Sequence, residues 1–181
     1  MLFENPLYEK TLTFSFTEVQ QTTRFERWSS YIEDFQKKEK KAVDFICLDH
    51  GNKLTFFVEI KDFIKIDTAG QYGQGFFSQK LADDIAQKIK DTIEITNAIT
   101  KKISIDEYDF VSQMKNYPYR CVFHWEFKPN VNRYKRVLEM KNMKSKLKSL
   151  LHGVCAHIQV ENIKDSQSKY WEVIRRRESQ K

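Results

Sequence analysis

The chain has 181 residues, a length that suits one domain, and 31 Lys and Arg against 25 Asp and Glu give a net charge of +6 with the histidines neutral. Hydrophobic residues make up 40% of it and aromatic residues 14%, so the supply of core residues excludes a disordered chain although the mean hydropathy is −0.64. No apolar run approaches the roughly 18 residues of a membrane span, the opening Met1-Leu2-Phe3-Glu4-Asn5 lacks the order of a signal peptide, and Cys47, Cys121 and Cys155 suggest neither a disulfide framework nor a zinc cluster, so a cytoplasmic protein is expected.

In chain order, the alternating stretch Leu12 to Phe16 is followed by Thr17 and Gln20 in the spacing of a helix-capping box. That spacing predicts a helix to about Gln36, with Phe25, Trp28, Ile32 and Phe35 on one face. Ala42 to Asp49 and Lys53 to Lys61 read as strands of a hairpin turning through Gly51-Asn52. Residues 62–76 hold three of the five glycines and read as a mobile loop. A helix from Ser78 to about Ile99 follows, with Leu81, Ile85, Ile89 and Ile93 four residues apart and Lys88 expected outside, opposite Asp84. Tyr119 to Phe127 and Cys155 to Val160 read as strands. Residues 131–151 read as a helix broken near Glu139, because Val131, Tyr134 and Leu138 lie half a turn from Met140, Met143 and Leu147. The expected fold is a single α/β domain, a mixed sheet with helices on both faces, with its core over about residues 10–160 and a polar basic tail over 161–181.

The hairpin carries the chemistry. A two-residue turn at Gly51-Asn52 pairs His50 with Lys53 and sets Asp44 opposite Glu59, with Lys61 on the same face. Two carboxylates that close among Val43, Phe45, Ile46, Phe57, Val58 and Ile60 need a compensating cation. Oxygen-only ligation points to Mg²⁺ or Mn²⁺ rather than zinc, and such a metal suits phosphodiester hydrolysis, with Lys61 holding or deprotonating the attacking water. The bland alternative is an exposed strand end where Asp44 and Lys61 form a surface bridge.

These residues resemble the PD-(D/E)XK nuclease superfamily, the restriction-endonuclease-like, metal-dependent enzymes. The match is AVDFICLDHGNKLTFFVEIKDF, Ala42 to Phe63, followed by LADDIAQKIKDTI, Leu81 to Ile93, within about residues 17–127; Val43 stands where the motif has proline. The resemblance implies Asp44 and Glu59 as metal ligands, the carbonyl of Ile60 as a further ligand and Lys61 as the catalytic lysine. It also implies a polar contribution from Gln87 or Lys88 and an acid from the first helix, for which Glu18, Glu26 and Glu33 compete. A nuclease of this kind without an evident recognition domain fits bacterial defence, restriction or repair, with a second copy or a specificity-giving partner. A catalytically silent nucleic-acid-binding or assembly subunit keeps the same fold.

The charge is split: residues 1–100 hold 13 basic and 16 acidic side chains, and residues 101–181 hold 18 and 9. Arg133, Lys141, Lys144 and Lys148 lie in a basic helix that fits a nucleic-acid backbone, DNA foremost, although a membrane surface or a solvated face would carry the same charges. Tyr72, Phe76 and Phe77 either stack on bases or anchor the glycine loop. His124 reads as a satisfied core histidine, and His152 and His157 are poorly spaced for a metal.

Overall fold

The computed structural model describes residues 3–28, 39–64, 77–98 and 104–176. The strands are β1 (Leu7–Glu9), β2 (Leu12–Ser15), β3 (Gln20–Thr23), β4 (Phe45–Asp49), β5 (Leu54–Asp62), β6 (Tyr119–Glu126), β7 (His157–Glu161) and β8 (Glu172–Arg175). The helices are α1 (Gln79–Ala98), α2 (Ile105–Asn116) and α3 (Arg133–Leu150). A five-stranded sheet runs β3-β4-β5-β6-β7, antiparallel from β3 to β5 and parallel from β5 to β7. Parallel neighbours need long crossovers, which α1 and α2 supply between β5 and β6 and α3 supplies between β6 and β7. Each helix begins on a side-chain cap: Ser78 Oγ accepts from Leu81 N–H (3.1 Å), Ser104 forms a capping box with Glu107, and Asn132 accepts from Lys135 N–H (2.8 Å).

Both faces of the central strands are buried, which is why they read as unbroken apolar runs. Ile46, Leu48, Phe57, Cys121 and Phe123 face the helices, packing against Leu81, Ile85, Ile89, Met143 and Leu147. Phe45, Cys47, Phe56, Val58, Ile60 and Val122 face the other way, against Leu7, Leu12, Phe14 and Trp171. That second layer corrects the expectation of helices on both faces. Among the described residues it is a small antiparallel sheet, β1-β2-β8, so the α/β class holds while one helical layer is replaced by strands.

Four local expectations also change. Gln20 Oε1 does reach the amide of Thr17 (3.0 Å), but Gln20 N–H donates back to Thr17 O (3.0 Å), closing a turn into β3 rather than opening a helix. The β-branched Thr22 and Thr23 then pair with Cys47 and Ile46, and only Phe25–Arg27 is helical, as a single 3-10 turn; the rest of the expected helix, from residue 29 to about 36, lies outside the described residues. The hairpin loop is residues 50–53, four rather than two, because the Asp49 carboxylate accepts from Asn52 N–H (2.8 Å) and Asn52 Nδ2 (3.0 Å), with Lys53 in the left-handed region at φ 52°. α3 is continuous: Met140, Met143 and Leu147 are buried while Tyr134 and Leu138 are exposed, so only one stripe enters the core and no kink is required. The expected tail is folded as far as Arg176, with Trp171 buried and β8 paired to β2. Among the described residues no helix is long and apolar enough to cross a membrane.

Candidate active site: an acid pair with two lysines

The hairpin keeps the expected register despite its longer loop, since four residues centred on the same point pair Asp49 with Leu54 and Phe45 with Val58. One step further, Asp44 stands against Glu59 at the end of the β4–β5 ladder. Here the carboxylate takes over from the ladder: Asp44 Oδ2 accepts the N–H of Ile60 at 2.6 Å. Asp44, Glu59 and Lys61 share the helix-facing side of the sheet with Ile46 and Phe57.

Glu59 is fully buried and doubly clamped. Lys61 Nζ lies 2.6 Å from Glu59 Oε1, and Lys88 Nζ of α1 lies 2.8 Å from Oε1 and 3.0 Å from Oε2. Lys88, placed on the outer surface by its spacing from Asp84 but offered to the site with Gln87 by the resemblance, reaches inward to Glu59, while Gln87 donates to Asp91 Oδ1 (2.8 Å). Asp44 feels the opposite balance. Burial, and then the charge of Glu59, push its carboxyl up to about 6, against the smaller pull of Lys88, Lys61 and the Ile60 N–H. An acid that ionises only near neutrality, beside a buried carboxylate, is one for which an added cation makes a large difference.

α1 also sets the approach of the chain to Asp44, by contacts that sequence reasoning missed. Thr92 Oγ1 accepts the N–H of Val43 (3.0 Å) and donates to Lys88 O (2.7 Å). The buried Asp91 accepts from Lys41 N–H (3.1 Å) and Lys40 Nζ (3.2 Å). The available signal was three polar residues, Lys88, Asp91 and Thr92, at spacings that put them on one side of α1 beside an otherwise apolar stripe.

The other expected site residues scatter. Glu18 and Glu26 are exposed, and Glu33, Tyr72 and Phe76 lie outside the described residues. Phe77 is half-buried against the core, and its N–H donates to Glu139 Oε2 (2.8 Å). Arg133 is exposed and lies 3.8 Å from Asp165, which is bound more closely by Arg136 (2.5 Å). Lys141 is exposed; Lys144 and Lys148 line a cleft at the β7 edge of the sheet.

Two carboxylates supply hard oxygen donors suited to Mg²⁺ or Mn²⁺, which need only one or two protein carboxylates when phosphate and water complete the sphere. Among the described residues, no group of three or more His, Cys, Asp or Glu side chains is arranged to hold a metal. The sequence matches no family model and no curated protein, and the structure matches no solved structure.

Proposed function

We propose that this protein is a Mg²⁺-dependent nuclease hydrolysing phosphodiester bonds in DNA, serving a defence, restriction or repair system with a partner that supplies specificity. The observation that carries the reading is the half-buried Asp44, its carboxyl pushed up to about 6 by desolvation and the charge of Glu59, beside the fully buried Glu59 and an ammonium from the next inward-facing residue of β5. Asp44 and Glu59, with the carbonyl of Ile60, would hold the metal, which when bound lowers the pKa of water and offsets phosphate charge. Lys61 would then donate to the attacking water or to a phosphate oxygen, moving from Glu59 Oε1 to do so. Lys88, from α1, holds Glu59 in orientation through both of its carboxylate oxygens. Arg133, Lys141, Lys144 and Lys148 would add backbone contacts whose affinity falls with salt.

One observation favours a second reading. Lys61 and Lys88 already place two positive charges on Glu59, so the acid pair is compensated without a metal. A catalytically silent nucleic-acid-binding or assembly subunit would retain that arrangement for the fold alone. Separate assays of metal binding and cleavage discriminate the two. In the nuclease, Asp44→Ala abolishes Mg²⁺ binding by calorimetry and Lys61→Ala keeps it while losing cleavage. In the silent subunit, nucleic-acid affinity survives EDTA and both substitutions.

A further inference from the structure

Four arginines among the described residues are buried or half-buried, Arg24, Arg120, Arg136 and Arg175. Three of them hold a carboxylate: Arg24 lies 2.5 Å from Glu9, Arg136 2.5 Å from Asp165 and Arg175 3.0 Å from Asp62. Arg120 is the exception, because no carboxylate of the described residues pairs with it. A guanidinium partly withdrawn from water without an anion is costly, and it cannot shed its proton to relieve the cost. The partner it lacks is an anion from outside the chain.

Arg120 lines a cleft of about 290 Å³ at the β7 edge of the sheet, together with Lys144, Lys148, His157 and Lys169 and with no acid. Three parts of the chain bring these residues together. Arg120 is the second residue of β6 and stands in register with His157 of β7. Lys144 and Lys148 are four apart on α3, so they lie one above the other on one side of that helix. Lys169 comes from the segment that leads into β8, and its ammonium lies 4.9 Å from the centre of the Tyr170 ring. None of the three lysines pairs with a carboxylate of the described residues either. Four positive charges around one cleft repel one another, and a polyanion relieves that repulsion.

The cleft is separate from the acid pair. Glu59 stands in register with Phe123 of β6 on the helix-facing side, whereas Arg120 precedes Phe123 by three residues, roughly 10 Å along the strand and on the other face. We infer that the cleft is a phosphate-binding site, with the Arg120 guanidinium donating a parallel pair of hydrogen bonds to one phosphate group and Lys144, Lys148 and Lys169 holding its neighbours. Four cations exceed the charge of a single phosphate, so the ligand carries several in a row, as consecutive phosphates of a DNA strand or as a free oligophosphate. The inference uses neither Asp44 nor Glu59. It shares Lys144 and Lys148 with the nuclease reading and rests on that reading only for the choice of DNA as the strand.

The test is equilibrium binding in EDTA, which keeps metal out of the acid pair. The probes are inorganic triphosphate, followed by calorimetry, and a short single DNA strand with a 5′-hydroxyl end, followed by fluorescence anisotropy over a series of salt concentrations. Arg120→Gln is expected to weaken the bound probe by about tenfold. With the strand it also lowers the slope of log affinity on log salt by about 0.7, the share of one phosphate contact. Lys169 is exposed, so Lys169→Ala, which is expected to lower the slope by about the same amount, decides the matter where Arg120→Gln is poorly folded. Lys90→Ala, an exposed change on α1, leaves affinity and slope as they are. Displacement of the strand by triphosphate at equal concentration identifies a free oligophosphate as the ligand; displacement only in more than about tenfold excess identifies the strand. Absence of binding by both probes overturns the inference, as does affinity unchanged in well-folded Arg120→Gln. Wild-type protein that binds through Arg120 and cleaves nothing in Mg²⁺ counts against the nuclease reading alone, and cleavage with binding indifferent to Arg120 counts against this inference alone.

Discussion

Lys88 Nζ lies within 3.0 Å of both carboxylate oxygens of Glu59, a bidentate hold on a side chain with no solvent exposure. Lys61 touches only Oε1. The acid pair is therefore neutralised chiefly by a residue of α1, 29 positions further along the chain. Removing one partner of a buried, hydrogen-bonded charge is costly because the other stays desolvated. With Lys61 still present, Lys88→Met is expected to destabilise by about 1–3 kcal/mol. Since a cation competing for Glu59 has been removed, the same variant is expected to bind Mg²⁺ more tightly than the wild type. Calorimetric titration beside thermal unfolding in EDTA checks both halves.

Thr92 joins the strand that delivers Asp44 to the helix that delivers Lys88. Its hydroxyl is fully buried and accepts Val43 N–H at 3.0 Å. Thr92→Val keeps the shape and leaves that amide unpaired, a loss of about 1–3 kcal/mol. Thr92→Ser restores the acceptor and is expected to recover most of the stability. Denaturant unfolding of the two variants separates the hydrogen bond from the lost methyl.

The raised pKa of Asp44 sets a pH window for the site. Metal needs the ionised carboxylate, so Mg²⁺ affinity is expected to climb through about pH 6 and level off near pH 7. In Asp44→Asn the step is absent. Titrations at half-unit intervals from pH 5 to pH 8 follow it directly.

Glu161 predicts a stability effect away from the acid pair. It is 1% exposed, its Oε2 lacks a partner, and burial pushes its carboxyl up to about 7 against a smaller pull from Ser168. The native state then holds a proton that the unfolded chain releases near 4.5, so stability present at low pH is lost as pH rises from 4.5 to about 7. The expected decline is roughly 3 kcal/mol at 1.36 kcal/mol per pKa unit. Glu161→Gln flattens that limb, and chemical unfolding at pH 4.5 and pH 7.5 measures the difference.

The acid pair was legible because strand register depends on the centre of a hairpin rather than on its turn type. A four-residue loop closed by Asp49 and Asn52 preserves the pairing that a two-residue loop implies. α1 was legible from its four-residue apolar spacing. The segment from Thr17 was not, because Phe25 and Trp28 stand three apart in a single 3-10 turn as they would in a helix, and the pairing of Thr22 and Thr23 with β4 is long-range. The C-terminal strand was hidden by its charge. Arg175 looked like part of a solvated basic run, yet its guanidinium bridges the buried Asp62 and Glu126. The inward turn of Lys88 was not legible from spacing, which matches an outer-surface pair with Asp84; only the resemblance offered Lys88 or Gln87 to the site.

The most direct test is incubation of wild-type protein and Asp44→Ala with linear and circular DNA in Mg²⁺, Mn²⁺ or EDTA. The account predicts cleavage by the wild type in either metal, none in EDTA and none by Asp44→Ala, with the circular substrate separating internal cutting from digestion at ends. Cleavage that persists in Asp44→Ala or in EDTA would contradict the role given to the acid pair. Wild-type protein that binds DNA and leaves it intact in every condition would contradict the nuclease itself.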